Sequence, residues 1–516
     1  MKKWGLAVLS GLLIGLSFPA IFFGVPLPPL GFLSWVGLVP LFILIHNASP
    51  KEAFRYGYIT ALIYFLLSTY WLFYALNNYG HVAPLPSAAT VLLLSLYLSL
   101  HPAFALFFAR LFAKKWGGEQ MVWLAVFWTI FEWGRNYLPV GGYPWSNLAM
   151  TQADFLPLIQ IADITGAYGI MFLVVWFNAF LAEIFLHWRG KKIANLQSKI
   201  IVTALLLLTT LSYGFYRLHT EQQKIARATH LNVGLIQPNI PQEEKWDDTK
   251  IAKQRAIFKE AAASLQNSVD LIIWPEASWI EPVPLDATRV PPEELGITAH
   301  RGPIPFTLLG LDFYAIKNGN ERYFNSAALV NSYGNILGKY NKVHLVPFGE
   351  YVPLGKILSF IGPVAAVGDF EAGTSLMPLN LETWKIAPLI CFEDVFPEIS
   401  RAMVKNGANL FINISNDAWY GLSGAAYEHA TLSQLRAVET RRSVVRGTNT
   451  GLTTIIDSTG KQVVSSPIFE RSVLVHQVSL LTGQTIYTRL GDWFVLACFI
   501  YVVWHLLYRK YVLKRT

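Results

Sequence analysis

Three stretches of the chain set reactive side chains at the ends of apolar runs. Leu271-Ile272-Ile273-Trp274-Pro275-Glu276 is an apolar, strand-like run closed by a proline, with a carboxylate at its mouth. Tyr340-Asn341-Lys342-Val343-His344-Leu345-Val346-Pro347-Phe348-Gly349-Glu350 brings a lysine and a glutamate into an otherwise apolar loop. Pro388-Leu389-Ile390-Cys391-Phe392-Glu393-Asp394 delivers one thiol from a buried-type strand, with acids close behind. A thiol is mostly protonated near neutral pH and needs a base or a cation to become a thiolate. Glu276 can take that proton if a dry pocket raises its proton affinity. The Lys342 ammonium can hold the thiolate and then the oxyanion of a tetrahedral intermediate, with the backbone N–H of Phe392 as second donor. Glu350 and Glu393 would orient the lysine and balance its charge.

Each stretch alone has a plainer reading: a packed small hydrophobe, a turn, a solvated lysine. His344 reads as a brace for the Lys342 loop and His429 as a capping or packing residue. Arg436, Arg441, Arg442 and Arg446 read equally as phosphate contacts or as a solvated helix face with salt bridges, so no role is assigned to them.

These stretches lie in the block 218–490, where short apolar runs alternate with turn signals and helical patterns. Leu231–Ile236, Phe306–Leu311, Ala327–Val330, Leu410–Ile414 and Leu452–Ile456 have strand length and β-branched content, and helical patterns fall near 249–266 and 426–442. Strands alternating with helices predict a layered α/β domain. No internal repeat, metal-ligand spacing or glycine-rich phosphate loop is present, and the chemistry requires no cofactor.

The rest of the chain is different. Of 516 residues 53% are apolar and only 14% charged, and the mean hydropathy is +0.38. Average soluble domains carry about 25% charged residues, so disorder and coiled coil are excluded and an ordinary cytosolic enzyme is not expected. About 20 apolar residues cross a bilayer. Seven such runs precede residue 220, at roughly 4–23, 31–47, 54–76, 91–112, 120–138, 160–187 and 199–217, and an eighth covers roughly 491–510. The first is read as a retained helix, because Ser17-Phe18-Pro19-Ala20 makes a poor cleavage site. The expected organisation is a seven-helix transmembrane bundle at 1–217, an extracytoplasmic domain at 218–490, and an eighth transmembrane helix with a cytoplasmic tail at 491–516. Basic residues alternate between loops: Lys51 and Arg55, Arg110, Lys114 and Lys115, then Arg189, Lys191, Lys192 and Lys199, and finally Arg509, Lys510, Lys514 and Arg515. By the positive-inside rule both termini are cytoplasmic. The net charge of +8 is thereby spent on orientation, not on nucleic acid. Glu132 and Asp163 read as isolated buried polar contacts, and the outer-face loop Gly142-Tyr143-Pro144-Trp145 as a place where the catalytic domain docks. Cys391 and Cys498 are not expected to pair.

In combination, Trp-Pro-Glu ending at Glu276, the Lys342 loop, and Cys391-Phe392-Glu393 resemble the nitrilase (carbon–nitrogen hydrolase) superfamily with its Glu-Lys-Cys triad. The helical bundle narrows the resemblance to the apolipoprotein N-acyltransferase family, over nearly the whole chain. That resemblance implies a multi-pass α-helical membrane bundle carrying an α/β nitrilase-like αββα sandwich, with Glu276 as base, Lys342 as oxyanion-stabilising cation and Cys391 as nucleophile. Glu350 and Glu393 match acids needed around the triad, and Trp246, Trp419 and Tyr420 match loops that handle substrate. Phe392 stands where a tyrosine is often seen, so any role of that hydroxyl is lost here.

The implied activity is two-step N-acylation of the S-diacylglyceryl-cysteine at the N-terminus of bacterial lipoproteins through a Cys391 thioester. Its partners are a phospholipid acyl donor, phosphatidylethanolamine in the family, a diacylated apolipoprotein, and the bacterial inner membrane, with the active site periplasmic. No metal or cofactor is implied. The apolar segment 357–367 is expected to form a mobile arm that gates lipid access. Two other readings remain: a membrane-tethered nitrilase-type amidase that uses water, and a scaffold bearing a dead hydrolase domain. The helical bundle favours a lipid substrate over the first, and the intact triad argues against the second.

Overall fold

The computed structural model describes residues 2–22, 24–138, 142–297, 305–317, 319–352 and 370–513. The 357–367 arm therefore lies outside the described residues. The chain divides into two compact units, one made of 1–73, 83–219 and 490–516, the other of 74–82 and 220–489.

The first unit is helical. Its main helices are α1 (Lys2–Gly15), α2 (Val39–Ile45), α3 (Pro50–Thr69), α4 (Pro84–Lys115), α5 (Gln120–Arg135), α6 (Ala167–Trp188) and α7 (Leu196–Arg227). The late helix Trp493–Leu513 belongs to the same unit. The start of α3 is written locally: Ser49 and Glu52 form a reciprocal capping box, and Pro50 occupies the first turn. Among the described residues α4, α6, α7 and Trp493–Leu513 are long and apolar enough to cross a membrane, and α3 with Leu72–Tyr79 forms a fifth apolar length bent by 56°. The runs at 4–23, 31–47 and 120–138 form shorter or broken helices: Pro19 follows the end of the first, the second breaks at Leu38, and the third ends at Arg135.

Charges inside this unit are paired. Arg135 meets Glu132 at 2.5 Å, and Asp163 accepts from Arg217 at 2.9 Å and Tyr213 at 2.7 Å, so neither acid is isolated as expected. Lys199 is not a loop charge: it lies buried in α7, 2.7 Å from both Glu119 and Glu183. Trp145 is buried within the first unit, where its carbonyl accepts from Arg135.

The second unit is an α/β sandwich. Its strands are β1 (Thr229–Gln237), β2 (Leu271–Ile273), β3 (Trp279–Pro284), β4 (Phe306–Lys317), β5 (Asn320–Val330), β6 (Ile336–Asn341), β7 (Leu379–Leu381), β8 (Trp384–Ile390), β9 (Leu410–Ser415), β10 (Val444–Thr448), β11 (Thr454–Ile456), β12 (Gln462–Ser465) and β13 (Ser472–Leu480). One sheet runs β13-β1-β2-β4-β5-β6 with β3 beside β4, and the other runs β12-β11-β10-β9-β8-β7. The strands at the centre of each sheet are parallel: β1, β2 and β4 in one, β8, β9 and β10 in the other. Both faces of these strands are covered, which explains their near-continuous apolar runs.

Helix α8 (Ile251–Leu265) packs Phe258, Ala262 and Leu265 onto the first sheet, with Phe258 stacked on Trp274 at 4.4 Å between ring centroids. On the second sheet lie α9 (Pro397–Lys405) and α10 (Ala425–Thr440). A Cβ at Gly447 would come within 3.0 Å of Ile273, so the two sheets meet closely there.

Candidate active site

Glu276 follows β2, Lys342 follows β6 and Cys391 follows β8, so all three leave strand ends. Glu276 and Cys391 leave parallel central strands, at the end where open α/β sheets place ligands, and Lys342 leaves the antiparallel strand β6 at the end of its sheet. Cys391 takes a left-handed backbone conformation, φ +51°, in the tight turn between β8 and the next helical turn. For a residue with a side chain that is costly and persists only where the surroundings enforce it. The Cys391 carbonyl is held by Asn413 Nδ2 at 3.1 Å and lies 3.2 Å from His429 Nε2.

The Glu276 carboxylate is fixed on both oxygens. Asn325 donates to Oε1 at 2.7 Å and the backbone N–H of Asn416 donates to Oε2 at 2.9 Å. Lys342 Nζ lies 3.7 Å from Oε1 of Glu276 and 2.9 Å from Glu350. Burial works against the charge on Lys342, but Glu350 and Glu276 more than offset it and hold the ammonium above its ordinary value. Asn325 donates also to Glu350 Oε1 at 2.7 Å, so one amide bridges the two acids. Burial pushes the Cys391 thiol well up, Glu276 adds to the rise and Lys342 opposes it. The resting Cys391 side chain is therefore a thiol, which would have to lose its proton to act as a nucleophile.

Glu350 plays the expected part beside the lysine. Glu393 differs from expectation, because its carboxylate does not reach Lys342 Nζ. It accepts from Tyr340 Oη at 2.8 Å and from the backbone of Val343 at 2.7 Å, His344 at 3.2 Å and Ile390 at 2.8 Å. Glu393 thus ties the lysine loop to the cysteine turn. The Phe392 and Phe396 rings meet edge-on at 5.0 Å, and the His344 ring lies 3.7 Å from that of Phe396, so His344 does brace this loop.

His429 is no cap. It sits inside α10, buried between Asp394 at 2.9 Å and Asp417 at 3.0 Å. Arg446 lies on β10, fully buried, 2.7 Å from Asp417 and 3.3 Å from Asp394. Arg436 pairs with Glu439, and Arg442 donates to the carbonyls of Ala408 and Gly483. None of these arginines forms a solvated helix face.

Of the three aromatic residues expected to handle substrate, Trp246 and Trp419 are exposed. The Trp419 ring meets Tyr79 edge-on at 5.8 Å. Tyr420 is half-buried, and its phenol lies in the field of Cys391, Asp417 and Glu276. Burial, with those three groups, raises it well above its ordinary value.

The arrangement is a buried carboxylate, ammonium and thiol at one set of strand ends, which suits attack on an acyl carbon. Among the described residues no cluster could hold a metal ion. The family model "Apolipoprotein N-acyltransferase N-terminal domain" matches residues 10–180, and "Carbon-nitrogen hydrolase" matches 232–487. The apolipoprotein N-acyltransferase of Geobacter metallireducens is 38% identical over 507 residues, covering 96% of this chain and 93% of its own. The chain belongs to the apolipoprotein N-acyltransferase family. A second family member, from Methylococcus capsulatus, is 32% identical with the same coverage of 96% and 93%. A nitrilase-like sandwich in a chain with apolar helices long enough to cross a membrane is thus the architecture of an apolipoprotein N-acyltransferase.

Several residues that shape this acyltransferase site carry no local signal in the sequence. Asn325, Asn416 and Lys245 are ordinary polar residues until folding brings them to Glu276; Lys245 Nζ donates to the Glu276 carbonyl at 2.9 Å. Asp312 is a partial exception, since a lone acid in the apolar run Phe306–Phe313 stands out. It is buried and pushed up to about 7 by that burial and by Glu276 and Glu350, against Lys245 and Lys342. Lys245 is lowered to about 8 by burial, against the pull of Glu276, Asp312 and Cys391.

Proposed function

We propose that this protein transfers an acyl chain from a phospholipid to the α-amine of an S-diacylglyceryl-cysteine at a lipoprotein N-terminus, by a ping-pong route through Cys391. The carrying observation is the meeting of Glu276, Lys342 and Cys391 at adjoining strand ends in a chain of this family. Glu276 takes the Cys391 proton, and the thiolate attacks the ester carbonyl. Lys342 and the Phe392 N–H hold the oxyanion. The ester C–O bond breaks, Glu276 returns the proton to the departing lysophospholipid, and the acyl group stays on sulfur. The lipoprotein amine then attacks the thioester, Glu276 takes its proton, the C–S bond breaks and Cys391 is restored as a thiol. A thioester suits this division because it is a good acyl donor to amines.

Phosphatidylethanolamine is the proposed donor. The proposed layout is a membrane bundle at 1–217, a periplasmic catalytic domain at 218–490, and a final helix with a cytoplasmic tail at 491–516, in the bacterial inner membrane. The alternation of basic loops supports that orientation. Acyl chains favour the bilayer by about 0.8 kcal/mol per CH₂, so a site acting on two lipid substrates must meet them at the membrane. Trp246, Trp419 and Tyr420 are proposed to contact substrate, and Glu350, Glu393 and Phe392 to support the triad.

The test is an acyl-enzyme trap. Detergent-purified protein is incubated with phosphatidylethanolamine labelled in its acyl chain, beside Cys391→Ala, and hydroxylamine-labile label is counted. Label that needs Cys391 and passes to a diacylated lipopeptide as amide is the expected result. Label lost only to water would favour an amidase-like hydrolase, and no label on intact enzyme would overturn the acyl-transfer reading.

A further inference from the structure

Leu389 on β8, Asn413 on β9 and Arg446 on β10 stand in one row across three parallel strands, each opposite the next. All three are fully buried. The Asn413 amide is held at both ends. Arg446 Nη1 donates to its Oδ1 at 2.7 Å, while its Nδ2 donates to the carbonyls of Leu389 at 3.2 Å and Cys391 at 3.1 Å. Chemistry forces this orientation. A guanidinium only donates and a carbonyl only accepts, so the amide oxygen must face Arg446 and the nitrogen the cysteine turn. Arg446 is itself fixed by Asp417 at 2.7 Å and Asp394 at 3.3 Å. His429 Nε2 lies 3.2 Å from the same Cys391 carbonyl but nearer to Asp394, at 2.9 Å.

Cys391 needs such a hold, because a turn with φ +51° at a residue bearing a side chain persists only where the surroundings enforce it. The carbonyl that Asn413 grips belongs to the same planar peptide as the Phe392 N–H, and in a trans peptide the two point to opposite sides. Fixing one therefore aims the other. A hydrogen bond to the carbonyl also polarises the peptide and makes its N–H a stronger donor. We propose that Asn413 is a positioning residue: oriented by Arg446, it aims the Phe392 N–H at the oxyanion of both tetrahedral intermediates. No bond to Asn413 forms or breaks. The charge that develops on the acyl oxygen meets a donor already in place, so no reorganisation is needed at that moment. The inference rests on the proposed acyl transfer through Cys391, with the Phe392 N–H as oxyanion donor.

The experiment uses full-length protein in detergent with Cys498→Ser, so that Cys391 is the one thiol. Two reactions of Cys391 are timed in this parent and in Asn413→Ala. Acylation by labelled phosphatidylethanolamine builds an oxyanion, whereas alkylation by iodoacetamide displaces iodide from carbon and builds none. Asn413→Ala is expected to slow thioester formation at saturating phospholipid by about 10–100-fold. KM for phospholipid and the alkylation rate should stay unchanged. A merely structural role would displace the sulfur and slow both reactions alike, so equal slowing, or none, in the folded variant overturns the proposal. Asn413→Asp keeps the shape and the Arg446 contact but sets an acceptor oxygen against the two carbonyls. Its ratio of acylation to alkylation should fall likewise, because both reactions pass through the thiolate and the added charge cancels. This variant decides where Asn413→Ala does not fold, and an unchanged ratio overturns the proposal. Failure of both to fold would mark Asn413 as a residue of the fold and overturn the positioning role. A parent enzyme that forms no Cys391 thioester would instead overturn the acyl-transfer reading, so the two failures are distinct.

Discussion

The backbone N–H of Val343 donates to Glu393 Oε1 at 2.7 Å, across 50 positions of sequence. Through this bond and that from Ile390, the acid two residues past Cys391 fixes the loop that begins with Lys342. Glu393→Gln would keep the shape but leave one acceptor oxygen for four donors. Each orphaned buried N–H costs about 1–3 kcal/mol. The variant should lose about that much stability in urea unfolding and most of its thioester formation. Wild-type values for both would show that the Glu393 charge is dispensable.

Lys342 is the one cation that meets both Glu276 and Glu350 among the described contacts. Lys342→Met should slow thioester formation by about 10²–10³-fold, the usual loss for one oxyanion donor. It should also destabilise the domain by about 3–5 kcal/mol, because two buried carboxylates lose their partner. Lys342→Arg should not restore the rate, since a planar fork does not replace a compact ammonium. Single-turnover labelling of the three proteins checks this, and an active Lys342→Arg would contradict it.

Gly310 touches no reacting atom, but a Cβ there would sit 2.2 Å from the Pro275 carbonyl and 2.8 Å from the Glu276 Cα. Both are backbone and cannot step aside cheaply. Gly310→Ala should therefore displace the base and cut thioester formation at least tenfold with all triad residues intact, a loss typical of misplacing a catalytic group by about 1 Å. Unchanged activity would mean that the Glu276 turn tolerates movement.

Asp312 gives the domain a pH dependence. Its carboxyl rises from 3.8 to about 7 on folding, with burial as the main cause. Between those values the folded chain holds a proton that the unfolded chain has released. Stability should therefore fall as pH rises from about 4 to about 7 and then level off, by on the order of 4 kcal/mol from this group. Asp312→Asn should flatten that stretch of the profile. Denaturant midpoints between pH 5 and 8 read the effect, and an equally steep profile in Asp312→Asn would assign it to another group.

The proposed triad is legible because each member follows a recognisable local pattern. An apolar strand ending in Pro275-Glu276, a lysine in an apolar loop and a thiol at the end of Pro388–Ile390 carry their meaning within a few residues. The buried network behind the cysteine was not readable. His429 read as a capping or packing residue and Arg446 as a phosphate contact or a solvated helix face, because helix periodicity cannot tell a buried ion pair from a solvated face. Only the crossing of β9, β10 and α10 makes Asp394, Asp417, His429 and Arg446 neighbours.

The sequence by itself determined the apolar lengths of the helical part, the alternation of strands and helices, and the residue types proposed as nucleophile, cation and base. These follow from composition and short-range pattern. The tertiary structure alone decided that Glu393 serves the loop and not the lysine, and that Lys199 is buried in an ion triad. The reason is physical. A polar side chain's role is set by the donors, acceptors and charges within about 3–4 Å of it, and parallel strands far apart in sequence supply them.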